Sequence, residues 1–220
     1  MALLLNIDTA IDAGSICLAK DGNVLSVARN DKQKDHAAWL HIAIKSLLEK
    51  DQLSLNVLDA IAVTGGPGSY TGLRIAMGAA KGICFALNKP LIILNTLEVM
   101  ANAAKSENAD LLCPMIDARR MEVFAAIYTK DLKIIKEPQA MLLNDISFKE
   151  YLTTNSICFF GNGSNKLGSI IKNEKAIFST IAIDAASMIS LSEKSFVDGK
   201  FADLAYAEPL YLKEFYTPAK

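Results

Sequence analysis

Apolar residues come first in short runs of strand length, and then at helical spacing. ALLLNID ends in Asp8 and reads as a strand. GSICLAK and NVLSVAR follow, separated by Asp21-Gly22, a pair that closes hairpins between strand-like runs. A helical pattern covers Asp35–Lys50, and DAIAVT is the next strand. A glycine-rich loop then leads into a helix from about Thr71 to Leu87. Asn88-Lys89-Pro90 ends that helix, because proline cannot continue it. LIIL is a further strand, and Thr96 is placed to cap a helix through LEVMANAA.

Polar KSENAD, Lys105 to Asp110, interrupts this pattern and marks a lobe boundary. The expected division is a first lobe over 1–104 and a second over 105–220, the last helix being a candidate to pack back on the first lobe. LLCPMID reads as a strand, and EVFAAIY with LKIIKE as a hairpin around TKD. NDISFKEYL is helical, SICFF a strand, and GNGSNKLGSII a turn into a helix. DAASMISLSEKSFVDG is a last helix, with Asp184 as cap and Gly199 near its end. The ending is aromatic-rich and holds two prolines. A leading hairpin followed by strand–helix alternation predicts an α/β protein whose mixed sheets are covered by helices.

Composition narrows the function class. The 220 residues carry a formal net charge of -1, too little clustered positive charge to grip a nucleic-acid backbone alone. Any nucleic-acid role would need a partner to supply the positive surface. No apolar run reaches the length of about 20 residues that a membrane span needs. The opening MALLLNIDTA has no basic segment and meets Asp8 early, so a cytoplasmic protein without membrane contact is expected. Cys17, Cys84, Cys113 and Cys158 are scattered and form no Cys-x-x-Cys pair, which predicts buried free thiols and no metal knuckle.

The glycine-rich loop TGGPGSYTG raises the question of phosphate. It lacks the Gly-Lys-Ser/Thr ending of a P-loop, and the first lysine after it is Lys81. Thr71 stands where the third glycine of a dinucleotide fingerprint belongs, and Pro67 removes a backbone donor. Two readings stay open: a tight strand-to-helix turn, and a helix N-terminus that accepts an anion. Gly78, Gly82 and Ala86 recur every fourth residue and leave a bare strip on the following helix. Leu73, Met77, Ala80 and Cys84 line an adjacent, fuller stripe. On the earlier helix Leu40, Ile44, Leu47 and Leu48 form one apolar face, with Trp39, Ile42 and Ala43 beside it. Apolar faces this wide fit either a second polypeptide or the chain's own other lobe.

Candidate chemistry is sparse. His36 and His41 lie five apart, turned from each other by about 140° on a helix, and so cannot share one metal. Ser69 is not in a Gly-x-Ser-x-Gly elbow. Asp8 and Asp117 each end a strand, where paired carboxylates hold a metal–nucleotide or act as acid and base, or else close turns. Adjacent Arg119 and Arg120 suit a carboxylate or phosphate, or are simply solvated.

GGPGSYTGLRIAMGAAKGICFAL, then KPLIILNTLEVMA, closely resembles the TsaB (YeaZ) family. MIDARRMEVFAAIY resembles that family's Asp-Ala-Arg-Arg segment, with Met121 where glycine is common. LLLNIDTA, GNG at Gly161–Gly163 and EPLYLKE near the end fit less specifically. The resemblance implies a two-lobed actin/Hsp70-like ATPase fold, ribonuclease H-like in each lobe, with a degenerate nucleotide site. It implies a non-catalytic subunit that binds and activates a TsaD-like paralogue, together with a TsaE-like ATPase. That complex transfers threonylcarbamoyl to N6 of adenosine 37 in tRNAs reading ANN codons. The alternative is a glycoprotease-type metallopeptidase or an ATPase acting alone. No catalytic residue and no metal ligand is assigned.

For the partner face, or a homodimer of the chain alone, the resemblance points to His36, Trp39, Leu40, Ala43, Ile44 and Leu47 on the first helix. On the second it points to Leu73, Arg74, Met77, Gly78 and Lys81. The weaker nucleotide or anion candidates are Asp8, Thr9, Gly68, Ser69, Asp117, Arg119 and Arg120, with ATP or ADP at the partner interface as the cofactor in view.

Overall fold

The computed structural model describes residues 2–32 and 35–213. The end of EPLYLKE and of the aromatic-rich tail, from 214 on, lies outside the described residues.

Two five-stranded mixed sheets carry the fold. The first contains β1 (Leu3–Asp8), β2 (Gly14–Lys20), β3 (Asn23–Asn30), β4 (Ala60–Gly66) and β5 (Leu91–Asn95), in the order β3-β2-β1-β4-β5. The second contains β6 (Leu111–Asp117), β7 (Glu122–Thr129), β8 (Ile134–Leu142), β9 (Ile157–Phe160) and β10 (Ala176–Phe178), in the order β10-β9-β6-β7-β8. Each sheet begins with an antiparallel three-strand meander and then adds two parallel strands beside its first strand. The second half thus repeats the connectivity of the first, a kinship that no repeat in the sequence discloses. This is the two-lobed actin/Hsp70-like layout.

Alternation along β1 decides what covers each face. Leu3, Leu5 and Ile7 share a core with Ile61 and Val63 of β4, and α1 (His36–Lys50) and α2 (Tyr70–Leu87) close it. Leu4 belongs to the opposite face, covered by Val99 of α3 (Thr96–Ala103), the 3-10 turn Ala185–Met188 and Ile189 of α6 (Ile189–Val197). α3 also packs Leu97, Met100 and Ala101 against Leu112, Ile116 and Tyr128 of the second sheet, so it lies between the lobes. α4 (Lys149–Thr154) and α5 (Ser164–Gly168) cover the outer face of that sheet through Leu152 and Leu167. From Asp184 on, the chain has returned to the first lobe, so the second sheet occupies only part of 105–220.

Local signals explain most element ends. Asp21 and Gly22 both adopt positive φ, 52° and 75°, as a two-residue hairpin turn requires. Asn88 ends α2 in the left-handed conformation. Asp184 caps the last helical segment, accepting from Ala186 N–H at 2.9 Å. That segment is a 3-10 turn followed by α6, rather than one helix.

Other expectations need correction. Asn95, not Thr96, caps α3: its Oδ1 accepts from Leu97 and Glu98 N–H. Thr96 Oγ1 instead accepts from Gly66 N–H at 3.2 Å, tying α3 to the glycine loop. The helix expected over NDISFKEYL begins only at Lys149, because residues 144–147 form a turn closed by Ser147 N–H to Asn144 O and Phe148 is left-handed. β10 was not foreseen. All four cysteines are free and buried, and burial pushes the Cys84 thiol up to about 11.

Candidate functional site

The glycine loop meets backbone, not phosphate. A side chain on Gly72 would strike the Thr9 carbonyl oxygen, and one on Gly68 that of Ala10. Ser69 N–H donates to Ala10 O at 2.7 Å, and Thr9 Oγ1 donates to Gly72 O at 2.7 Å. Ser69 Oγ caps α2 by accepting from Gly72 N–H at 3.2 Å. A phosphate at a helix N-terminus needs open space and free N–H groups. Here the chain's own turn at residues 8–10 fills that space, so the described residues do not fit a nucleotide phosphate at this turn. The loop is thus a tight strand-to-helix turn packed on the chain's own backbone.

Asp8 and Thr9 are sealed beneath the loop. The Asp8 Oδ1 accepts from Ala10 N–H at 3.0 Å and from Thr64 Oγ1 at 2.7 Å. Burial raises its carboxyl above the usual range, against the pull of those two hydrogen bonds. A folded-state pKa above the unfolded value means that ionisation disfavours the fold. Stability from this group is complete below the unfolded value, 3.8, and falls as pH rises through the raised one. Asp8→Asn keeps an oxygen for both donors. It is expected to match the parent at low pH and to exceed it in urea midpoint at neutral pH. Parallel midpoint-versus-pH curves for the two proteins would contradict this.

A second polar cluster links loops of the two lobes. Asn162 Nδ2 donates to Asp12 Oδ2 at 2.9 Å, while its Oδ1 accepts from Asp117 N–H at 2.8 Å. This bridge joins the loop after β1 to the end of β6. The Asp117 Oδ1 accepts from Lys166 Nζ and Arg119 N–H, both at 2.6 Å. Burial pushes this carboxyl up, but Lys166, the Arg119 N–H and the Arg119 charge outweigh it and hold the group below its usual range. Asp8 and Asp117 therefore have separate partners and form no carboxylate pair.

Arg119 and Arg120 are exposed at the β6–β7 turn, with φ of 69° and 49°. Left-handed backbone costs a non-glycine residue about 1–2 kcal/mol. Sequence reading missed Asn162 and Lys166. The signal was the GNG turn, whose asparagine supplies the link between lobes.

The helix faces divide differently from expectation. Leu40, Ala43, Ile44, Leu47, Leu73 and Met77 are buried in the first lobe's own core, together with His36. Their packing inside the lobe accounts for these apolar positions, and of them Ile44 also lines a hollow on the surface. Trp39 is half-buried, its Cζ3 3.2 Å from where a Gly14 Cβ would stand. Arg74 and Lys81 hold the C-terminal segment: Arg74 Nε donates to Tyr211 Oη at 3.0 Å, and Lys81 Nζ to Ala207 O at 2.8 Å.

Of the expected face, Gly78 stays open. A side chain on Gly78 or Gly82 would meet nothing within 4 Å. Two adjoining hollows, of about 340 and 280 Å³, lie along α1 and α2 and share His41, Leu55 and Ile83. The second is floored by Gly78, Ala79, Gly82 and Ala86. Ile42 and Phe85 stand in solvent at 67% and 82% exposure.

The family model for TsaD, tRNA N6-adenosine threonylcarbamoyltransferase, matches residues 26–209. The tRNA threonylcarbamoyladenosine biosynthesis protein TsaB of Escherichia coli is 29% identical over 221 residues, covering 96% of this chain and 94% of that protein. The chain belongs to the TsaB/YeaZ family. A solved structure described by its similarity to peptidase YeaZ from Pseudomonas aeruginosa superposes with a TM-score of 0.86 at 25% identity, over 97% of this chain and 100% of the other. The tRNA N6-adenosine threonylcarbamoyltransferase of Ehrlichia canis is 32% identical over 114 residues, 45% of this chain and 33% of that enzyme.

Among the described residues no three His, Cys, Asp or Glu side chains gather as a metal-holding group, and no helix is long and apolar enough to cross a membrane.

Proposed function

We propose that this chain serves tRNA threonylcarbamoyladenosine biosynthesis as an accessory subunit, which binds and activates a TsaD-like catalytic paralogue working with a TsaE-like ATPase. The relatives' names support the pathway, and the open glycine notch supports a role through contact with a second chain. Gly78 and Gly82 each lower helix stability by about 1 kcal/mol relative to alanine. They adjoin no other part of the lobe, so close approach within the lobe does not explain them. A notch floored by Gly78, Ala79, Gly82 and Ala86, on helices that also expose Ile42 and Phe85, suits a helix from a second chain laid against α1 and α2. In the absence of the paralogue, the same face suits a second copy of this chain. Contact with tRNA is through the paralogue, and the protein works in the cytoplasm.

The alternative, hydrolysis of peptide or ATP by this chain alone, would need a phosphate or metal position of its own. The chain's own turn at residues 8–10 occupies the space before α2 that a phosphate would need.

Reconstitution decides between the two. Threonylcarbamoyl transfer by the paralogue and its ATPase is expected to depend on added chain, while the chain alone hydrolyses neither ATP nor peptide. Full transfer without it, or hydrolysis by the purified chain, would refute the accessory reading.

A further inference from the structure

Beyond α6 the chain runs on as an irregular strap, pinned at successive points to both lobes. Ala202 N–H donates to Leu91 O at 2.8 Å, bridging to the free edge of β5. Lys81 Nζ reaches up from α2 to Ala207 O. Leu210 N–H donates to Gly65 O at 2.7 Å, and its carbonyl takes the space that a side chain on Gly66 would need. Arg74 lies over the Tyr70 ring at 4.1 Å and donates to Tyr211 Oη. Lys213 Nζ then pairs with the Glu122 carboxylate at the start of β7, in the second lobe.

Glu122 is also the residue that closes the Arg119–Arg120 turn. Its N–H donates to Arg119 O at 3.1 Å, and its carbonyl accepts from Ala118 N–H at 3.1 Å and Lys166 Nζ at 3.0 Å. From Leu210 to Lys213 the extended chain spans at most about 10 Å. The strap therefore has little slack between its anchor on the glycine loop and its anchor on the second lobe. The glycine loop and the Arg119–Arg120 turn cannot separate far unless one anchor lets go.

We propose that residues 202–213 act as a clasp coupling the glycine loop to the Arg119–Arg120 turn, so that the two loops are held or loosened together. The clasp also runs over Arg74 and Lys81 of α2. A change on that helix thereby has a route to both loops through the strap and its hydrogen bonds, outside the buried core. This inference concerns the chain by itself and stands or falls independently of the proposed assembly.

Amide hydrogen exchange on the full chain tests it. Lys213→Glu sets two like charges against each other at the second-lobe anchor and leaves the glycine-loop anchor intact. Leu210→Pro removes the N–H at the glycine-loop anchor and leaves the ion pair. With coupling, each variant speeds exchange severalfold at both 65–72 and 118–123, while β1, β6 and residues 60–64 of β4 keep the parent's protection. If each variant loosens only its own end, or if neither changes exchange, there is no clasp. Should Leu210→Pro fail to fold, the exposed Lys213→Glu decides by itself: acceleration at 65–72 supports the coupling, and its absence overturns it.

Discussion

Gly72→Ala is expected to cost about 3 kcal/mol of stability, while Gly78→Ala in the same helix is expected to add about 1 kcal/mol. At Gly72 the new methyl would meet the Thr9 carbonyl oxygen, a backbone atom held in place by β1. Relief requires moving the first turn of α2 away from the turn at residues 8–10. That breaks the hydrogen bond from Thr9 Oγ1 to Gly72 O and strains the one from Ser69 N–H to Ala10 O. At Gly78 the methyl meets nothing within 4 Å, so only the helix propensity of alanine over glycine is felt. Urea midpoints of the isolated protein measure both. Equal midpoints for the two variants would mean that the loop glycines are not there for close backbone approach, and would reopen the phosphate reading.

The contrast between these two glycines marks the boundary of what the sequence discloses. The spacing of Gly78, Gly82 and Ala86 identifies a bare strip, because helical periodicity places residues on a face. Periodicity does not say whether a face looks inward or outward. Leu40, Ile44, Leu73 and Met77 repeat just as a partner-facing stripe would, yet they close the first core. Strand alternation and turn chemistry are local, so the first sheet, the Asp21-Gly22 hairpin and the Asn88 stop were legible. β10 is three residues long, has no turn signal of its own and exists because it pairs with β9, a long-range fact. The bridge from Asp12 through Asn162 to Asp117 joins three distant segments, and no local pattern encodes it. The family motifs located the loop and the Arg119–Arg120 turn. They did not reveal that Arg74 and Lys81 turn to the chain's own strap.

Gly82→Leu, alone or with Gly78→Leu, is expected to weaken association with the TsaD-like paralogue about a hundredfold, roughly 3 kcal/mol, while leaving the chain folded. The folding half follows from open space at both positions: the leucine projects into the hollow instead of into the lobe. The binding half follows from geometry, since a helix seated on a glycine floor is pushed outward by the added side chain and loses its contacts along the groove. Phe85→Ala and Ile42→Ala should also weaken binding, because both side chains are mostly in solvent without a partner. Trp39→Ala is a less clean probe: its ring packs over Gly14, so the variant loses fold stability along with any contact. Arg74→Ala is the informative control. Its guanidinium is engaged by Tyr70 and Tyr211 rather than turned to the hollow, so it should loosen the strap and leave affinity for the paralogue near the parent value. Calorimetric titration of the paralogue with each variant, beside sedimentation of the variants alone, reads both effects. Undiminished affinity of Gly82→Leu, or a loss at Arg74→Ala as large as that at Gly82→Leu, would move the docking face off the glycine notch and onto the strap side of α2.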